Sequence, residues 1–153
     1  MPAGGCSSPT PSASKMKCLL VLLSLAALAR AQDTFECECA AYVTMGDKEV
    51  EVLKFPTTTI DDCTTDYPVC FERCSNEWNF LTGDGSLNIV GPDGDGILIG
   101  QHMCDTLKGS GITELGQHIV YLYYHVCNAG PWIFTGQYSH GNLCCTSGKY
   151  YDC

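Results

Sequence analysis

Two stretches decide the fold: residues 35–43, Phe35-Glu36-Cys37-Glu38-Cys39-Ala40-Ala41-Tyr42-Val43, and residues 66–78, Asp66-Tyr67-Pro68-Val69-Cys70-Phe71-Glu72-Arg73-Cys74-Ser75-Asn76-Glu77-Trp78. In the first, cysteine and glutamate alternate. As a strand, it sends Cys37 and Cys39 to one side and the glutamates to water, with the two cysteines about 6–7 Å apart. In the second, Asp66 offers an N-cap and Pro68 sits in the first turn, where a missing N–H costs nothing. Cys70, Cys74, Trp78 and Leu81 then recur at helical spacing on one face of a short amphipathic helix ending before Gly83. Its two cysteines are about 6 Å apart. The two spacings match, so Cys37 and Cys39 are both expected to bridge to Cys70 and Cys74. Each bridge closes a loop of about 35 residues, which the chain-entropy account values at roughly 3–4 kcal/mol.

This pairing resembles the cysteine-stabilised αβ motif of defensins and scorpion toxins. In that motif the helix precedes the C-x-C strand, whereas here it follows. The resemblance covers this local geometry alone and implies no activity.

The chain has 153 residues and 12 cysteines. Residues 18–29 form an apolar run of 12, too short for the roughly 20 residues of a membrane-spanning helix. With Lys15 and Lys17 before it and Ala29-Arg30-Ala31 after it, the run fits a secretory signal peptide. The expected organisation is therefore an N-terminal extension and signal peptide over residues 1–31 and a single extracellular domain over residues 32–153. Cleavage removes Cys6, Cys18 and three of the eight basic residues but no acidic one, so the net charge goes from −9 to −12.

The ten cysteines that stay are Cys37, Cys39, Cys63, Cys70, Cys74, Cys104, Cys127, Cys144, Cys145 and Cys153. An even number in an exported chain reads as a disulfide framework. A zinc site is disfavoured, because the pairs are C-x-C and C-x-x-x-C and no H-x₃₋₅-H accompanies them. Cys144 and Cys145 are neighbours facing opposite ways and should take different partners.

Elsewhere, Glu49, Val50, Glu51 and Val52 alternate as a strand after a turn at Gly46-Asp47. Residues 83–100 hold six glycines and read as turns around short apolar pieces, and residues 108–111 as a further loop. Residues 117–127 read as one central strand, with His118 and His125 on opposite faces. Tyr121 and Tyr123 share a face and Tyr124 takes the other. Residues 132–138 read as the next strand, after a turn at 128–131, and residues 143–153 as a terminal hairpin around 146–149. The expected fold class is α+β: a small disulfide-rich domain, mainly antiparallel sheet with one short amphipathic helix.

The acidic surplus excludes most nucleic-acid binders and cationic membrane-lytic peptides, which need basic surfaces. No G-x-S-x-G, H-E-x-x-H or phosphate-binding loop occurs, so no catalytic constellation is expected and the chain reads as non-enzymatic. Asp93-Gly94-Asp95-Gly96 resembles the middle of a calcium loop, but Gly91 and His102 occupy its first and last ligand positions. Asp84, Asp93 and Asp95 are the candidates for weak calcium binding; no cofactor is otherwise expected.

The leading functional reading is a secreted, acidic, disulfide-stapled structural or interaction protein, such as an extracellular matrix component that meets mineral ions. Its partner would be matrix or another protein, with no nucleic acid and no membrane insertion. Alternatives are a secreted defence or venom-type effector or inhibitor, and a small carbohydrate-binding module using the tyrosine stripe. Residues 32–153 should carry no free thiol: alkylation without reductant should add no mass, and any labelled cysteine there would break the framework.

Overall fold

A computed structural model describes residues 34–127 and 130–153. The segment read as an N-terminal extension and signal peptide, residues 1–31, lies outside the described residues, as do positions 128 and 129 of the expected turn. Residues 34–153 form one disulfide-rich α+β unit.

Its centre is β1 (Phe35–Met45), an eleven-residue strand. Along one edge it pairs with β2 (Lys48–Lys54) at its C-terminal end and with β3 (Thr58–Ile60) at its N-terminal end. Along the other edge it pairs with β5 (Tyr121–Val126), which in turn pairs with β6 (Ile133–Tyr138). All these pairings are antiparallel. A two-residue loop joins β1 to β2, and Gly46 takes φ 66° there, a conformation that costs glycine no side-chain clash.

The alternation in β1 holds. Cys37, Cys39, Ala41 and Val43 are fully buried on the inner face. Against them lies α1 (Tyr67–Thr82). Its buried stripe is Cys70, Cys74, Trp78 and Thr82, so the last contact falls at Thr82, and the expected Leu81 is only partly covered. Cys37 bridges to Cys70 and Cys39 to Cys74, with Cα–Cα distances of 5.6 and 5.5 Å. Asp66 precedes the helix without capping it by its side chain. Its carboxylate instead accepts the backbone N–H groups of Asp61 and Asp62 at 2.9 Å each. Arg73 of α1 donates to the carbonyls of Cys37 and Pro56, at the point where the edge of β1 passes from β2 to β3. It thereby satisfies an acceptor at a gap in the ladder.

Two expectations are corrected. First, the chain holds a second helix, α2 (Ile99–Gly109), where residues 83–100 and 108–111 read as loops. Its early Gly100 has a packing reason: a Cβ there would lie 2.6 Å from the ring of Tyr150. Glycine lets the helix backbone approach that ring, at a cost in helix propensity that hides the helix from a local reading.

Second, residues 117–127 are not one strand. β4 (Leu115–His118) belongs to a separate three-stranded sheet with β7 (Leu143–Thr146) and β8 (Lys149–Tyr150). The chain changes sheets at Val120, whose carbonyl accepts the Ser139 N–H at 2.8 Å and whose N–H donates to Ser139 Oγ at 3.0 Å. His118 and His125 therefore sit in different sheets, not on two faces of one strand.

The β7–β8 hairpin matches the expected terminal one. Cys145 bridges to Cys104 of α2, and Cys144 to Cys153, so the neighbours take different partners as expected. Cys63–Cys127 ties the segment before α1 to the end of β5. Among the described residues, no helix is long and apolar enough to cross a membrane.

The Cys37–Cys70 bridge joins residues 33 apart in sequence, which sets its entropic worth at about 3–4 kcal/mol. Urea unfolding of the Cys37→Ala/Cys70→Ala double variant should show at least that loss. A change below about 1 kcal/mol would mean that α1 is held chiefly by its apolar stripe.

Candidate functional site

With α1 on the inner face, the outer face of the large sheet carries the opposite set of side chains. β1 contributes Glu38 and Tyr42, β2 contributes Glu49 and Glu51, and β5 contributes Tyr121, Tyr123 and His125. Phe134 and Tyr138 come from β6, and Trp132 from the residue before it. The expected division of the tyrosines is observed: Tyr124 turns inward and meets Tyr67 and Phe71 of α1, with ring centroids 5.3 and 5.8 Å away.

On the outer face the rings touch in series. Tyr42 meets Tyr123 edge-on at 5.6 Å and Trp132 at 5.5 Å. Phe134 meets Tyr121 at 5.8 Å and Tyr123 at 5.6 Å. Tyr121 also lies 6.4 Å from Tyr138. Beneath them Ala40 is fully covered; its small side chain, opposite Tyr123 in register, leaves room for larger neighbours to lean inward. Phe134 and Tyr138 remain 45% and 52% exposed, so part of this aromatic surface faces solvent.

A polar cluster borders the rings. Glu38 pairs with Lys54 at 3.1 Å and with His125 Nδ1 at 3.3 Å. His125 Nε2 lies 3.1 Å from the Gly130 carbonyl, and its ring stacks on Trp132 at 5.2 Å. Both imidazole nitrogens thus lie beside oxygen atoms, which fixes the plane of the ring.

The Lys54 ammonium bonded to Glu38 holds that carboxyl below its ordinary value. Burial opposes this, and the His125 hydrogen bond assists it. Lys54 is raised in turn by the same hydrogen bond. Burial pushes the Tyr42 phenol up to about 12, reinforced by the carboxylates of Glu51, Glu38 and Glu49. Tyr123 is also raised, by burial and then by Glu49. Glu38, Glu49 and Glu51 therefore flank the Tyr42 end of the aromatic face.

The sequence-derived metal candidates separate. Asp93 and Asp95 lie together in the glycine-rich loop, joined by His102 from the first turn of α2. Asp95 Oδ2 is 3.0 Å and Asp93 Oδ2 3.8 Å from His102 Nε2, and one donor atom from each of the three residues falls within 4.8 Å of the others. Asp84 is not in this group; it lines a different hollow with Trp78, Gln137 and His140. One nitrogen and two carboxylates suit a transition ion better than calcium, which prefers six to eight oxygens. The cluster also has a local task, since Asp95 Oδ1 accepts the Ile97 N–H at 2.8 Å and so closes its own turn. His102 is the residue missed as a donor. Its place at the end of the calcium-like spacing was the available signal, but it became informative only once α2 turned the ring back over the loop.

No protein-family model matches the chain, and neither the curated proteins nor the solved structures compared with it yield a match.

Glu38 supplies a pH test. Its folded carboxyl titrates below the ordinary 4.5, so just below 4.5 the unfolded chain binds more protons than the folded one. The contribution is fully present above 4.5 and is lost as pH falls through the depressed folded value. In urea unfolding from about pH 6 to about pH 3, the Glu38→Gln variant should lose less stability on acidification than the parent protein. Equal losses would show that Glu38 is not linked to folding.

Proposed function

We propose that the chain is an exported, non-enzymatic interaction protein that meets an extracellular partner through the outer face of its large sheet. The observation carrying this reading is the position of the aromatic residues. They form a connected series, partly exposed, on the side of the sheet opposite the disulfide-bound helix. Aromatic side chains supply large contact area at low entropic cost and are enriched where proteins bind partners. Five disulfides, typical of extracellular proteins, support the placement outside the cell. All ten cysteines of residues 32–153 are consumed in bridges, which leaves none of them as a nucleophile. A matrix component is one form of this reading, and its surplus of carboxylates would associate weakly with several calcium ions.

A small carbohydrate-binding module is the second reading. It is favoured by the exposed rings of Phe134 and Tyr138, both of which meet Tyr121 and which offer sugars a stacking surface. The test is retention of the oxidised protein on extracellular matrix from the producing tissue and on immobilised glycans. A Phe134→Ser/Tyr138→Ser double variant that stays folded should lose at least about tenfold in retention on the true ligand. Undiminished retention would remove the outer face as the recognition surface. Retention on glycans alone would select the carbohydrate reading.

A further inference from the structure

The inner end of the aromatic face holds a hollow of about 100 Å³ lined by Tyr42, Glu49, Tyr123 and Trp132. A water molecule needs on the order of 10–15 Å³ by the same measure, so the hollow admits a compact group of several heavy atoms. Its walls come from distant parts of the chain: Tyr42 from β1, Tyr123 from β5 and Trp132 from the entry to β6. Tyr42 packs edge-on against both other rings, with centroids 5.6 and 5.5 Å away, and the hollow lies beside these contacts. Trp132 is braced by the stacked ring of His125, itself held between Glu38 and the Gly130 carbonyl. The surface of the hollow is apolar: among the described residues Glu49 is its one charged neighbour, lining it through the side-chain methylenes, with the carboxylate at the rim, where Oε1 accepts the Thr44 hydroxyl at 2.8 Å.

We infer that this hollow is a binding site for a small quaternary ammonium compound, with Tyr42, Tyr123 and Trp132 as an aromatic cage and Glu49 as its counter-charge. The inference rests on the outer face being a recognition surface and names a ligand class for it. Aromatic rings attract a cation through the negative potential of their faces, most strongly for Trp. The carboxylate adds Coulombic attraction that a neutral ligand would not feel. A primary ammonium carries three N–H donors, which aromatic carbon serves poorly and which Glu49, partly engaged by Thr44, serves incompletely. A fully alkylated nitrogen brings the charge and has no N–H to satisfy. Burial raises the Tyr42 phenol to about 12, and the carboxylates of Glu51, Glu38 and Glu49 add to the rise, which places three acidic side chains near this ring. An attached phosphate would meet Glu49 and the Glu51 carboxylate beside Tyr42, so a free quaternary ammonium solute fits better than a phosphocholine headgroup.

The test is calorimetric titration of the folded, oxidised protein with tetramethylammonium, choline, phosphocholine and the neutral carbon isostere of choline, in which a tert-butyl group replaces the trimethylammonium. Tetramethylammonium and choline should bind. Choline should exceed its isostere by at least about tenfold, and Trp132→Ala should weaken both cations by a similar factor. Glu49→Gln changes an exposed residue and leaves the walls intact; it should weaken the cations about threefold or more while leaving the isostere unchanged. Absence of cation binding, equal binding of choline and its isostere, tighter binding of phosphocholine than choline, or indifference to both variants would overturn the assignment. The titration uses no matrix, so the two readings fail separately. Retention that depends on Phe134 and Tyr138 without cation binding overturns the cage alone. Cation binding without retention overturns the partner reading alone.

Discussion

The two disulfides from β1 to α1 hold the molecule in its working arrangement. A strand repeats its facing every two residues and a helix returns to the same face after about one turn, and the two distances nearly coincide. Because both bridges form at once, α1 is fixed in position and in direction along β1. The helix then buries Trp78 against the inner face, where Leu122 and Val43 complete the same core. Arg73, carried on the same helix, satisfies the Cys37 carbonyl where the neighbouring strand breaks at Pro56. One geometric match therefore organises the central strand, the helix and the gap at the sheet edge together.

The remaining bridges extend this arrangement to the rest of the domain. Cys104–Cys145 ties α2 to β7, and Cys63–Cys127 closes the irregular segment before α1 onto the end of β5. A domain of this size buries a modest core, and covalent closure of long loops lowers the entropy of the unfolded chain in compensation. The close approach of Gly100 to Tyr150 shows the same economy: α2 reaches the small sheet because one of its residues has no side chain.

Pinning the helix to one side leaves the other side of the sheet uncovered by it. There the β-strand alternation that sends cysteines inward sends glutamates and tyrosines outward, so anionic charge and aromatic surface arrive on the same face. Glu38 illustrates how tightly the two are joined. It binds Lys54 and His125, and His125 in turn braces Trp132. The charge network thus meets the aromatic network at Trp132.

Much of this was legible in local spacing. C-x-C in an alternating stretch and C-x-x-x-C in a helical one specify the facing of their cysteines, whatever follows in the chain, because side-chain direction has a period set by the backbone. The same reasoning separated Tyr124 from Tyr121 and Tyr123, placed the terminal hairpin and gave Cys144 and Cys145 different partners. Three features were not legible, each for a reason that lies outside the local chain. The helix Ile99–Gly109 is masked by Gly100, which a ring fifty residues away requires. The break at Val120 arises because residues on either side of it have partners in different sheets, and a β-branched aromatic run cannot announce which neighbour it will pair with. Side-chain contacts between distant residues depend on chain closure: Tyr42 meets Trp132, and Asp93 meets His102, only after the sheet and α2 have formed. Periodicity assigns each side chain a face; long-range packing alone chooses which faces are covered and which side chains meet on those left open.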